Sequence, residues 1–268
     1  MKVSLLISTY NWPAALELCL TSVLMQKDLP DEVILADDGS GIETRKIIEG
    51  FQNVFPVPLK HIWHEDTGFR LAEIRNKAIL ASSFEYIIQI DGDLILHPRF
   101  IADHKQLATK GRFVSGSRLL LSAHFSNNIL SSGSIPSVLS IMLHGKNFFN
   151  ALRIPALTRL LAPYYKSRQP YYVKGCNMAF WKQDLVDVNG YNESITGWGK
   201  EDSEIAVRLI NNGIRRNFIK FGGVCYHLYH KVASRGNEDR NDMILETALR
   251  ENHVKSHRGL DSHSSNNI

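Results

Sequence analysis

The stretch "EYIIQIDGDLIL", residues 85–96, sets two carboxylates in an apolar run of the kind that forms a strand buried on both faces. Asp91 and Asp93 are separated by one glycine, so they repel each other and resist desolvation. One interpretation is a turn whose acids cap the following helix. The other is a divalent metal site, since Mg²⁺ takes one or two carboxylates together with substrate phosphates. We favour the metal, because a bound cation neutralises the acid pair.

Strand-like and helix-like segments alternate through the first hundred residues around this stretch. Such alternation predicts an α/β fold with a mostly parallel central sheet flanked by helices on both faces. Sheets of this kind bind ligands at the carboxyl ends of their strands. The acids at predicted strand ends are therefore expected to share one crevice: Asp37, Asp38, Asp91 and Asp93.

The bulk composition indicates a globular protein of one large domain or two closely joined halves. The chain has 268 residues, 44% apolar and 22% charged. A net charge of +4 is too weak to indicate a nucleic-acid partner. Three widely spaced cysteines form neither a disulfide framework nor a zinc motif. We find no signal peptide and no apolar run long enough to span a bilayer, and we expect a cytoplasmic location.

The first predicted crossover, "ISTYNWP", carries no glycine-rich phosphate-binding fingerprint, and the chain contains no P-loop motif. This disfavours dinucleotide oxidoreductases and P-loop enzymes. Ser8 and Tyr10 offer a hydroxyl and an aromatic face to a nucleotide base, and Asp38 offers an acceptor for a base N–H. Taken singly, each of these residues is more commonly a turn or cap residue.

Two arginines, Arg70 and Arg75, stand around the start of a predicted helix in "GFRLAEIRNKA". They belong either to a solvated helix face or to a clamp on phosphate oxygens, because guanidinium groups supply paired donors. Both interpretations stay open.

The stretch "GWGKED", residues 197–202, combines a glycine-flanked indole with two acids that open a predicted helix. Trp198 offers a face to sugar C–H groups. Glu201 and Asp202 lie where the helix dipole favours anions, and a carboxylate beside a bound hydroxyl acts as a general base. A merely charged first turn explains the acids but not the Gly-Trp-Gly.

His227 and His230 in "VCYHLYH" are three residues apart in a strand-like context, so we expect them to face different ways. One of the two imidazoles is predicted to complete the metal shell, and the pattern does not decide which.

Taken together, these motifs resemble family 2 glycosyltransferases of the GT-A fold. The resemblance covers residues 1–110, through "VSLLISTYN", "VILADDGS", "RNKAI" and the DxD-type "IIQIDGDLIL", and residues 171–245. The later part, from "VKGCNMAFW" to "GWGKEDSEIAVRLINNG", is similar to the galactosyltransferase-type segment of β-1,4-galactosyltransferases and chondroitin polymerases.

The resemblance implies a role for each matching residue. Ser8, Tyr10 and Asp38 would hold the nucleotide base, and Asp91 would contact the ribose or the metal. Asp93 and His227 would bind Mn²⁺ or Mg²⁺. Asp202 would be the catalytic base, with Trp198 and Glu201 lining the sugar and acceptor pocket and with Arg70 and Arg75 on the phosphate side. Lys200 departs from the family, which has a third glycine there, so donor and acceptor identities are not implied.

The implied function is an inverting, metal-dependent glycosyltransferase. It would move a hexose or N-acetylhexosamine from a UDP-sugar to a glycan or lipid-linked glycan hydroxyl, in synthesis of a bacterial capsule, lipopolysaccharide or O-antigen. The alternatives are a non-catalytic nucleotide-sugar-binding subunit and a sugar nucleotidyltransferase. The latter should carry a glycine-rich, basic loop after its first strand, and "STYNWPAALEL" is not one.

Three stretches of the chain are predicted to differ in role. Residues 1–115 form the nucleotide-sugar-binding half, and residues 116–245 form the acceptor-binding and catalytic half of the same domain. Residues 246–268 form a helix end and a flexible tail. Within the second half, residues 144–170 mix basic, aromatic and aliphatic side chains. They are either an acceptor-side cover on the core or a patch in peripheral contact with the inner membrane surface.

Overall fold

The computed structural model of the chain describes residues 1–231 and 236–264. In these residues the strands are β1 (Val3–Thr9), β2 (Glu32–Asp37), β3 (Leu59–Trp63), β4 (Tyr86–Asp91), β5 (Leu94–Leu96), β6 (Arg112–Ser115), β7 (Leu119–Leu121), β8 (Gly145–Lys146), β9 (Asn177–Trp181), β10 (Arg215–Phe218) and β11 (Cys225–His227). The helices are α1 (Pro13–Leu24), α2 (Ile42–Gln52), α3 (Leu71–Ala81), α4 (Phe100–Leu107), α5 (Ala123–Ser132), α6 (Val138–Leu143), α7 (Pro155–Leu161), α8 (Lys182–Asp187), α9 (Glu201–Asn211), α10 (Glu238–Arg250) and α11 (Asp261–Ser264), with a 3-10 turn at Phe148–Asn150.

A seven-stranded sheet in the order β10-β6-β9-β4-β1-β2-β3 forms the centre of the molecule. Its neighbours are parallel except for β9, which runs antiparallel to β4 and β6. Alternate residues of β1 enter two separate apolar clusters, Leu5 and Ile7 in one and Leu6 in the other. Burial on both faces explains the unbroken apolar sequence of the strand, and the predicted mostly parallel α/β sheet is confirmed.

A second sheet, in the order β5-β11-β7-β8, begins directly after Asp93. The two late strands follow each other in the chain but join different sheets. Strand β10 pairs with β6 in the large sheet, whereas β11 pairs with β5 and β7 in the small one. The turn between them contains Phe221 and Gly223 at positive φ, which redirects the chain.

The segment 256–264 was predicted to be part of a flexible tail, and here the structure corrects the prediction. Leu260 is buried in the core, and its N–H donates to the carbonyl oxygen of Asn189 at 3.2 Å. An apolar anchor therefore fixes this segment; residues 265–268 lie outside the described part. No helix among the described residues is both long and apolar enough to cross a bilayer.

Candidate functional site

A cleft of about 900 Å³ opens at the carboxyl ends of β1 and β4. Among the described residues, its lining includes ten of the eleven site residues predicted from the sequence: Ser8, Tyr10, Asp38, Arg75, Asp91, Asp93, Trp198, Glu201, Asp202 and His227. Arg70 is the exception. Its guanidinium donates to Glu73 Oε2 at 3.1 Å, and its backbone N–H donates to Asp38 Oδ2 at 2.9 Å. Arg70 therefore stabilises the cleft wall and does not line the cleft.

The Asp-Gly-Asp turn is held tightly against β1. The Gly92 N–H donates to the carbonyl oxygen of Ser8 at 2.7 Å, and a Cβ at this position would lie 3.1 Å from that oxygen. Glycine therefore permits the close approach. The turn lies between β4 and β5. Asp91 is therefore the last residue of a strand in the seven-stranded sheet, and Asp93 directly precedes the first strand of the second sheet. The two carboxylates consequently meet different partners.

Arg75 lies at the centre of the first group of acids, which we call the arginine cluster. Its fully buried guanidinium donates to Ser8 Oγ at 3.1 Å, to Asp202 Oδ1 at 2.9 Å and to Asp91 Oδ1 at 3.0 Å. Glu201 Oε1 lies 3.6 Å from the same guanidinium. These contacts exclude one of the two sequence-based interpretations of Arg75, because the buried side chain does not lie on a solvated helix face. It is a buried counterion for Asp91 and Asp202 and also lies beside Glu201.

Burial shifts the ionisation of two acids in the arginine cluster. Desolvation, reinforced by Asp202, raises the pKa of Glu201 to about 8, although Arg75 opposes the shift. Desolvation also raises the pKa of Asp91 to about 6, against the lowering effect of Arg75. Glu201 therefore carries a proton at neutral pH. Its Oε2 atom is buried with no hydrogen-bond partner in the described chain, which the neutral acid tolerates better than the carboxylate does.

The loop before α9 directs Asp202 into the cleft. Gly197, Gly199 and Lys200 all have positive φ, and Lys200 at φ +81° adopts a conformation that favours glycine. The departure from the third glycine thus changes the side chain but keeps the backbone shape. A Cβ on Gly175 would lie 2.0 Å from Asp202 Oδ2, so the glycine at 175 leaves room for the carboxylate.

The second group, which we call the histidine cluster, consists of Asp93, His227 and His230. Asp93 Oδ2 lies 3.3 Å from His227 Nε2 and 3.2 Å from His230 Nε2. The expectation that the two imidazoles face different ways is therefore wrong. The Leu228 N–H donates to the carbonyl oxygen of Asp93 at 3.0 Å, which holds the end of β11 beside this residue.

The histidine cluster fits a divalent cation. One ligand atom from each of its three residues lies within 4.8 Å of the others, and Asp93 Oδ1 is buried without a hydrogen-bond partner in the described chain. His230 Nδ1 lies 2.8 Å from the Lys231 carbonyl oxygen; because a carbonyl only accepts, Nδ1 carries a proton and the Nε2 lone pair is free for a metal. The hydrogen bond from His230 to Asp93 raises the pKa of His230. A proton and a metal ion therefore compete for His230 Nε2.

Of the two acids at the carboxyl end of β2, Asp37 lies in the core and Asp38 lines the cleft. Asp37 accepts from the Ser40 N–H at 2.8 Å and lies 2.9 Å from His61 Nε2, so the expectation that it shares the crevice is wrong. Asp38 lines the cleft, where His64 Nε2 lies 2.7 Å from its Oδ1.

Arg118 is a cleft residue that the sequence reasoning missed. It precedes β7, and its Nη1 lies 3.2 Å from Cys176 Sγ while its buried Nε has no partner in the described chain. This cation interacts electrostatically with both Asp91 and Asp93. In the sequence, Arg118 is a lone arginine before the apolar stretch "LLL". That pattern does not predict which residues the arginine will contact.

Comparison with known proteins places this architecture in a family. Residues 4–166 match Glycosyl transferase family 2, and residues 158–231 match the N-terminal domain of galactosyltransferase. The chain is 26% identical to the chondroitin synthase of Escherichia coli over 238 residues and 26% identical to the hyaluronan synthase of Pasteurella multocida over 246 residues. Each alignment covers 84% of this chain but only 34% and 24% of these two relatives.

Two solved structures share the fold. Staphylococcus aureus TarS 1-349 in complex with UDP-GlcNAc superposes with a TM-score of 0.64 at 17% identity, covering 98% of this chain and 69% of that one. The mannosyltransferase PcManGT from Pyrobaculum calidifontis, in complex with GDP-Man and Mn²⁺, superposes with a TM-score of 0.60 at 20% identity, covering 94% and 62%. The predicted GT-A fold is confirmed, and the chain belongs to glycosyltransferase family 2.

Proposed function

We propose that this protein transfers a hexose or N-acetylhexosamine from a UDP-sugar to a glycan hydroxyl, with inversion at the anomeric carbon. The observation that carries the proposal is the position of Asp202, which Arg75 holds in the same cleft as the histidine cluster. The similarity to chondroitin and hyaluronan synthases supports a role in synthesis of a bacterial surface polysaccharide.

Asp202 is suited to act as the general base. Arg75 fixes its Oδ1, and the side chain is partly exposed to the cleft. The carboxylate takes the proton of the acceptor hydroxyl while that oxygen attacks the anomeric carbon. The bond from this carbon to the diphosphate oxygen breaks, and UDP leaves with the bonding pair from the opposite face. One displacement of this kind inverts the configuration.

Neighbouring side chains bind and orient the two substrates. Protonated Glu201 donates to a substrate oxygen, and Trp198 packs against a sugar face. Ser8, Tyr10 and Asp38 also line the cleft, where they would hold the nucleoside. The solved TarS complex with UDP-GlcNAc supports this donor class.

Asp93, His227 and His230 would hold the metal. When bound, a divalent cation stabilises the negative charge that develops on the departing nucleoside diphosphate. Two imidazole ligands favour Mn²⁺ over Mg²⁺, because magnesium prefers oxygen ligands. Mn²⁺ is also the ion in the solved mannosyltransferase complex.

A panel of UDP-sugars and GDP-mannose tests the proposal, with UDP or GDP release measured in Mn²⁺ and in EDTA. We expect metal-dependent UDP release from one donor, increased by an acceptor glycan. Release of pyrophosphate would instead identify a nucleotidyltransferase. Calorimetric binding of UDP with Mn²⁺, without release from any donor and acceptor pair, would identify a binding subunit. Absence of both binding and release would contradict all three functions.

A further inference from the structure

Large apolar side chains are exposed between α6 and the turn after α7. Five of them are between 64% and 71% exposed, and we call them the apolar patch: Leu139, Leu143, Phe149, Leu160 and Tyr164. Scattered single exposed apolar residues are ordinary, but a group of this size marks a binding surface. We therefore expect a binding partner to cover the apolar patch.

Contacts from a neighbouring turn hold the elements of the apolar patch together. Lys220 Nζ lies 3.2 Å from the Phe149 carbonyl oxygen and 5.8 Å from the centre of the Tyr165 ring, next to Tyr164. The Ile154 N–H donates to the Phe221 carbonyl oxygen at 2.7 Å, which anchors the start of α7 on the same turn. The 3-10 turn and α7 therefore present one surface, and α6 leads into it through β8.

The segment of the chain that carries the apolar patch contains basic residues and no acidic ones. Residues 104–183 contain eleven lysines and arginines and no aspartate or glutamate, so all 27 acids of the chain lie elsewhere. Lys146, within the patch segment 139–164, and Arg168, which follows it, are both exposed. Exposed Leu and Phe side chains among Lys and Arg match the surface of an anionic bilayer. A second copy of the same surface is disfavoured, because like charges repel.

The apolar patch adjoins the cleft. Leu120 lines the cleft and pairs in register with Lys146 of β8, next to the 3-10 turn that carries Phe149. We propose that the apolar patch docks on an anionic lipid bilayer and thereby holds the cleft close to the membrane. This deepens the proposed function by assigning the acceptor to a lipid-linked glycan, but the docking itself depends on different residues.

Co-sedimentation of the chain with vesicles tests the docking. The probes are vesicles of phosphatidylglycerol with phosphatidylcholine and vesicles of phosphatidylcholine alone, at low and high salt. The patch variant is Leu143→Ser/Phe149→Ser/Leu160→Ser. The matched control is Ile42→Ser/Val54→Ser/Met243→Ser, which replaces three apolar residues that are 58–68% exposed elsewhere on the surface.

We expect the wild-type protein and the control to bind anionic vesicles at least about tenfold more strongly than the patch variant does, with binding weakened by salt. Calorimetric binding of UDP with Mn²⁺ checks that each variant is folded. Absent wild-type binding, or an equal loss in the control, would overturn the docking proposal. A wild-type dimer that the patch variant disrupts, without vesicle binding, would also overturn it and assign the apolar patch to a second copy. Release of UDP from the UDP-sugar in the presence of a soluble acceptor depends on the cleft alone, so the two proposals can fail separately.

Discussion

The arginine cluster and the histidine cluster contain acids only two residues apart in the chain, yet they are neutralised in different ways. Asp91 meets the buried Arg75, a cation that the protein supplies permanently. Asp93 meets two imidazoles and retains a buried oxygen without a partner in the described chain. A fixed cation suits groups that must stay in place, such as a base. A carboxylate with unused ligand capacity suits an ion that binds from solution.

Replacing Asp202 by Asn tests the chemical role of the arginine cluster and should have the largest effect. We expect turnover to fall by about 10²–10⁴-fold or more, because the amide cannot accept the acceptor proton. Affinity for UDP with Mn²⁺ should change little. The measurement is UDP release with acceptor, and Asp187→Asn on the exposed face of α8 is the control. Unchanged turnover would remove Asp202 from its proposed role.

Replacing Arg75 by Met tests whether the arginine cluster depends on its built-in cation. Removing one partner of a buried ion pair typically costs about 3–5 kcal/mol of unfolding free energy. We expect a loss of this order in urea denaturation at pH 7, with a smaller loss in Arg75→Lys. The loss of unfolding free energy should shrink as the pH falls, because protonation relieves the repulsion between the acids of the cluster that are still ionised at pH 7. A loss of unfolding free energy that does not change with pH would instead indicate that Arg75 stabilises the fold by packing on Tyr191.

Replacing either histidine by Ala tests whether the histidine cluster is the metal site. We expect His227→Ala and His230→Ala each to weaken Mn²⁺ binding by at least about 10–100-fold, the range seen for supporting groups of metal sites. Titration of free Mn²⁺ by electron paramagnetic resonance measures this without turnover. The control is His124→Ala, on the exposed surface of α5. If only one variant loses affinity, only that histidine binds the ion.

The smallest expected effect is a pH dependence from Glu201. Its pKa is about 8 in the folded protein against 4.5 ordinarily, so between these values the unfolded chain releases a proton that the folded chain keeps. Rising pH therefore destabilises the wild-type protein relative to Glu201→Gln, and the difference levels off above pH 8. We expect at least about 1 kcal/mol between pH 5 and pH 8, since one pKa unit corresponds to about 1.4 kcal/mol. Parallel urea curves at both pH values would contradict the raised pKa.

Most of the parallel sheet and the positions of Asp91 and Asp93 in one cleft could be predicted from local patterns, whereas the place of Asp202 was implied by the family resemblance. Unbroken apolar runs identify strands buried on both faces, and acids that follow such runs lie at the carboxyl edge of the sheet. The glycine-flanked Trp198 identifies a loop followed by a helix in the same way. These properties depend on residues close together in the chain.

The partners of those residues depend on contacts between distant segments. Arg75 meets Asp202 across 127 positions of sequence, and no local pattern distinguishes it from Arg70, whose side chain bonds its own helix. His227 and His230 converge on Asp93 at the end of β11, whereas a continued extended strand would separate them. Arg118 likewise becomes a cleft cation through the pairing of β7 with β11.

Residue types and their local order thus establish the fold class, the family resemblance and which acids are candidates for chemistry, because strand burial and helix capping are short-range effects. Which cation neutralises which acid is settled by packing. Charges from remote segments are brought together in a desolvated interior, where a displacement of a few ångströms determines whether a carboxylate is paired or free to bind a metal.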